Sequence, residues 1–259
     1  MREDRGARVS YDRGVRSSLT RFWVVLVATT IPFYLWGWLA GGALKIGGAE
    51  LPLSALMFVC PALAAVAAGG IPIVRRAVAV RIRPVWWILA IVLPATATVT
   101  ASLVATHGDT PTLPPALPLI ILLYLATAFC EELGWTTVLL PALLRKHGAI
   151  VAGAAIGVVW ALWHLIPYLQ GGYEPGPLLG QLTFTVVFRI LLVQLAVAGG
   201  MATLIAVLGH ASYNVAWTVL EAAGRYSAIA AAVAVALAVV ALFVFRPVRD
   251  SWRREPAPQ

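Results

Sequence analysis

Charged side chains are scarce in this sequence. Asp, Glu, Lys and Arg make up 12% of its 259 residues, against 61% hydrophobic residues. A soluble domain carries about a quarter charged residues, and this chain lacks the polar groups needed to cover such a surface. The composition therefore argues against a soluble fold and for an integral membrane protein. Cysteine is nearly absent: Cys60 and Cys130 both stand in apolar runs, where a buried thiol is an ordinary packing residue. No CxxC, HExxH, P-loop or dinucleotide fingerprint occurs, so none of the activities carried by those signatures is read here. Internal repeats are missing as well. The Ala/Val-rich stretch 228–242 reads as close-packed or lipid-facing helix.

What the chain has is apolar runs of helical length. They predict spans at 22–40, 51–73, 85–106, 117–140, 149–169, 178–198, 201–220 and 227–245. The fold class expected is all-α: a polytopic helical bundle of about eight transmembrane helices. Only Gly199 and Gly200 separate the sixth span from the seventh. The first run reaches 19 residues and shows no clear small-x-small cleavage site, so it is read as a helix and not as a signal peptide. Three regions follow: a basic tail 1–21, one transmembrane domain 22–245, and a second basic tail 246–259.

Arginine distribution sets the expected orientation. With eight spans, one side holds 16 of the 19 Lys and Arg residues, in both tails and in the loops carrying Arg75, Arg76, Arg81, Arg83, Arg145 and Lys146. Lys45 and Arg225 fall on the other side, with Glu50, Asp109, Glu174 and Glu221, while Arg189 alone sits within a span. Both termini are expected in the cytoplasm. The net charge of +8 is explained by this rule and by contact with anionic lipid headgroups, which leaves no reason to read a nucleic-acid partner.

Ionisable groups inside membrane spans are costly and usually face a bundle interior or a wet cavity. Glu131, Glu132, His164, Arg189 and His210 form this set, with Asn214 one turn beyond the last histidine. Neighbouring helix residues point about 100° apart, so Glu131 can face a cavity while Glu132 braces another helix. Two nearby carboxylates also suit proton exchange near neutrality. Pro167 is expected to bend or end the helix beside His164. His210 and Asn214 share a helix face. Each has a plainer reading: an interfacial glutamate pair, a histidine in an aromatic belt, an interhelical polar contact, or, for Arg189, a packing counter-ion.

Taken together, these groups can make a hydrolytic site. A carboxylate and an imidazole hold and deprotonate a water, while a second imidazole and an amide face the oxyanion. Glu131, His164 and His210 could instead hold Zn²⁺ and activate water on it. A proton-coupled transporter would use intramembrane Glu and His equally well.

Three segments, "EELGW", "WALWHLIPYL" and "GHASYNVAW", occur in order, each in its own hydrophobic helix. They resemble the motifs of the CAAX prenyl protease 2 and bacteriocin-processing (CPBP or Abi) family of intramembrane proteases. The family pattern is Glu-Glu-x-x-x-Arg, then Phe-x-x-x-His, then His-x-x-x-Asn or Asp. The resemblance covers roughly residues 51–220. It implies that Glu131 with His164 activates the attacking water, that His210 and Asn214 stabilise the oxyanion, and that Glu132 organises the site. The implied substrate is a membrane-associated protein or peptide, and the implied setting a bacterial-type plasma membrane. Some relatives are linked to bacteriocin self-immunity, and both metalloprotease and metal-independent mechanisms are argued for the family.

Two positions depart from the pattern. Thr136 replaces the arginine and Trp160 the phenylalanine. Losing the arginine leaves Glu132 without its i+4 counter-charge. Either Glu132 is neutral, with Thr136 donating to it, or Arg189 supplies the charge. The departure also opens a third reading, a noncatalytic immunity or scaffold member.

Overall fold

The computed structural model describes residues 2–79 and 82–245, with side chains essentially from Arg16 to Val244. Arg81 and the basic tail 246–259 lie outside the described residues, as do the side chains of Arg2, Arg5, Arg8 and Arg13. Among the described residues, ten α-helices run in order: α1 Arg2–Ala40, α2 Cys60–Gly69, α3 Pro72–Val78, α4 Pro84–Thr106, α5 Leu117–Glu132, α6 Leu140–Leu144, α7 Ala149–Gln170, α8 Pro175–Ala198, α9 Thr203–Ala222 and α10 Ala228–Phe245. A 3-10 segment, Leu53–Val59, leads into α2. A π-helical turn, Leu133–Leu139, joins α5 to α6, and there the N–H of Leu140 bonds to the Trp135 carbonyl five residues back.

The chain is an integral membrane protein of the expected all-α, polytopic class. Among the described residues, six helices are long and apolar enough to cross a membrane, or seven if Leu53–Gly69 and Pro72–Val78 form one span bent by 114°. The break at the expected second span has a local cause. Gly70 takes φ +69°, a conformation open to glycine, and Pro72 then starts a new helix where its missing N–H costs nothing. The expected eighth span forms α10, 18 residues long, near the lower limit of about 17 residues for crossing a bilayer.

Between α1 and the 3-10 segment lies a feature that hydropathy did not indicate. β1 (Ala43–Ile46) pairs antiparallel with β2 (Ala49–Pro52), with Ala43 opposite Pro52 and Ile46 opposite Ala49. Gly47 and Gly48 make the two-residue turn at φ +57° and +94°, the positive pair that a tight hairpin turn requires. Because α1 begins on the arginine-bearing side and leads directly into this hairpin, the hairpin stands at the opposite end of α1.

Burial grades across the bundle. α8 and α9 are the most enclosed spans, whereas α1 and α4 lie at the periphery. Apolar side chains such as Leu39, Val104, Leu119 and Leu179 are more than half exposed, as expected of a surface facing lipid. The closest helix approach relevant to the site is α7 on α8. A methyl group at Gly153 would stand 2.9 Å from Ile190 Cα, and one at Gly157 would stand 2.9 Å from Val186 Cα and 3.2 Å from Arg189 Cβ. This Gly-x-x-x-Gly pair lets two backbones touch and sets Trp160, one turn on, beside Arg189. Gly157→Leu is therefore expected to destabilise the protein by about 1–3 kcal/mol through overpacking. A thermal midpoint in detergent equal to that of the unaltered chain would contradict this packing.

Candidate active site

Glu131 and Glu132 end α5 immediately before the π turn, and their adjacent positions send them in different directions. Glu132 is fully buried. Thr136 Oγ1 donates to its Oε2 at 2.5 Å, and Arg189 Nη1 donates to Oε1 at 2.9 Å and Oε2 at 2.7 Å. His210 Nδ1 lies 3.0 Å from Oε1. A carboxylate can only accept, so Nδ1 carries the proton and Nε2 is left for the cavity that His210 lines. The charge accounting that singled out Arg189 is met by this ion pair, and Thr136 donates beside it.

Glu131 has a different environment. It is 6% exposed, and Trp160 Nε1–H donates to its Oε2 at 2.8 Å. Trp160 is also the hub for the remaining groups. Its carbonyl takes the His164 Nδ1–H at 2.9 Å, which directs the His164 Nε2 lone pair away from the backbone. Its ring meets His164 edge-on at 5.3 Å and His210 at 5.0 Å. The Arg189 Cζ stands 3.9 Å from the ring centroid, within cation–π range. Tyr168, one turn after His164, stacks on that imidazole at 5.7 Å.

Glu131, His164, His210 and Asn214 all line one cavity of about 400 Å³. Its wall continues up to the β-hairpin, where Lys45 and Glu50 pair at 3.0 Å. Glu132 and Arg189 lie behind the wall. The fold thus brings together all six residues singled out in the sequence: four at the cavity and two, Glu132 and Arg189, paired behind it. Pro167 lies inside α7 without ending it. The N–H lost there leaves the Trp163 carbonyl free of the usual helical bond, and Tyr34 on α1 donates to that carbonyl at 2.5 Å.

Sequence reasoning missed a polar ring farther up the cavity. Tyr226 donates to Gln181 Oε1 at 2.9 Å, Gln181 Nε2 donates to Tyr213 at 3.2 Å, and the two phenols meet at 2.9 Å. With the Tyr226 proton committed to Gln181, Tyr213 donates to Tyr226 and closes the ring. Gln181, 4% exposed in an apolar helix, was the available signal.

The residues considered for Zn²⁺ do not gather as ligands. Among the described residues, no three His, Cys, Asp or Glu side chains come together in a way that could hold a metal ion. Glu131, His164 and His210 share the cavity wall without forming a tetrahedral donor set, so no chemical step below passes through a metal.

Residues 113–216 match the family model described as type II CAAX prenyl endopeptidase, Rce1-like. That central segment, less than half of the chain, is similar to the Rce1-like family. The match bears out the resemblance carried by the three motifs and spans α5 through Asn214 on α9. No curated protein matches the chain. Within the Rce1-like segment the two departures sit side by side: Thr136 touches Glu132, and Trp160 touches Glu131.

Proposed function

We propose that this protein is an intramembrane endopeptidase that hydrolyses a peptide bond of a membrane-associated protein or peptide. The observation that carries the reading is the convergence of Glu131, His164, His210 and Asn214 on one cavity inside the Rce1-like segment. A water between Glu131 and His164 gives its proton to Glu131 as its oxygen attacks the carbonyl carbon. The carbonyl oxygen becomes an oxyanion and is met by the Asn214 amide and the His210 ring. Collapse of the tetrahedral intermediate breaks the C–N bond, and Glu131 returns the proton to the leaving amine.

The arginine distribution supports a bacterial-type plasma membrane with both termini cytoplasmic. We assign the chemistry to one transmembrane domain, 22–245, between basic tails.

The test compares newly formed peptide N-termini in membranes holding the intact protein or Glu131→Gln at matched expression. Termini specific to the intact protein are expected, and they would supply the substrate. Identical sets across growth conditions would replace this reading with the proton-coupled transporter or the noncatalytic family member.

A further inference from the structure

The two departures from the family pattern meet in one network, and it reaches the carboxylate assigned to water activation. We infer that Trp160 is a positioning residue for Glu131: its indole N–H fixes the carboxylate, and its ring is clamped by the Arg189 guanidinium. The inference rests on the endopeptidase reading for its kinetic consequence, but not for its geometry.

Phenylalanine, the family's residue at 160, has no donor and leaves both Glu131 oxygens free. Trp160 takes Oε2 at 2.8 Å, on a carboxylate that lines the cavity. Trp160 is 4% exposed and cannot swing away without losing its edge contacts to both imidazoles.

Arg189 is the second half of the device. It is fully buried, and only Nη1 is engaged by Glu132; Nε and Nη2 have no hydrogen-bond partner. Those N–H groups belong to a guanidinium standing 3.9 Å from the Trp160 ring centroid, and the electron-rich ring face offsets part of their lost solvation. An arginine at 136 would approach Glu132 from its own helix. Thr136 is short, and Arg189 arrives from α8 instead, across Trp160. The buried charge pair therefore bears on Glu131 through the intervening indole, and the same ring gives Glu131 a hydrogen bond that phenylalanine cannot.

The experiment uses ¹⁵N-indole-labelled protein in detergent, together with the rate at which the termini found in the comparison above appear in membranes. Trp160→Phe assigns the Trp160 indole resonance by its disappearance. That resonance is expected to move in Glu131→Gln, through the hydrogen bond, and in Arg189→Lys, because lysine cannot stack as a planar guanidinium does. Trp160→Phe, the conservative aromatic change, loses a buried hydrogen bond, so its rate is compared at matched folded protein, beside its thermal midpoint. It should slow cleavage roughly tenfold to a hundredfold, the worth of one hydrogen bond to a charged group. Adding Arg189→Lys to Trp160→Phe should cost far less than the product of the two single effects.

An indole resonance unmoved by Glu131→Gln overturns the inference, as does a Trp160→Phe rate equal to that of the intact protein. If the intact protein yields no termini at all, the endopeptidase reading fails by itself, and the indole resonance alone decides whether Trp160 holds Glu131.

Discussion

Arg189→Met should lower the unfolding free energy by about 3–5 kcal/mol, the cost of leaving one buried charge without its partner. Glu132 and Arg189 are both fully buried, with Nη1 2.7 Å from Oε2. Thr136 and His210 would remain as donors to Glu132, but neither replaces the guanidinium charge. The double variant Arg189→Met with Glu132→Gln removes both charges while retaining much of the packing volume, and most of the loss should be recovered. Thermal unfolding of the purified proteins in detergent measures both effects. An Arg189→Met midpoint equal to that of the intact chain would remove the ion pair from any account of the fold.

The second large effect is kinetic. His164→Ala should slow the appearance of new termini by about 10²–10⁴, the usual worth of a positioned acid–base group. Asn214→Ala should slow it by about 10²–10³, the worth of one oxyanion donor. Stability should change little in either case. The His164 ring has one hydrogen bond, to the Trp160 carbonyl, and both side chains line the open cavity and are only partly buried. Rates measured at matched protein levels, beside thermal midpoints, separate lost chemistry from lost folding. A rate fall that tracks a fall in midpoint would place these residues in the scaffold.

The opposite expectations for Arg189 and His164 show how far the sequence could be read. Scarce charge and long apolar runs identified a helical membrane protein, because lipid imposes those features on every span. The six polar residues were recognisable for the same reason: each is expensive in a span unless it has work to do. Arg189 was one of two answers that charge balance offered, since one carboxylate had lost its motif arginine and one intramembrane cation was available. The bend at Gly70 was not legible, because hydropathy averages over 51–73 and passes smoothly across Gly70 and Pro72. Trp160 could be read only as one aromatic ring in place of another, because the direction of an indole N–H depends on a neighbouring helix. The Gly153–Gly157 contact was overlooked for a related reason: small residues mark close approach only once the partner helix is known.

The π turn has a consequence for any related chain whose α5-to-α6 segment is one residue shorter. A π turn holds one residue more than the α turn it widens, so a chain lacking that residue can close the turn to α geometry and keep Leu140 and Leu144, now 0% and 3% exposed, in the core. What changes is local: the path from Glu132 to Leu139, and with it the reach of Thr136 to the carboxylate it braces. A one-residue gap in an alignment at this point therefore bears on how Glu132 is held, even where every motif residue is retained.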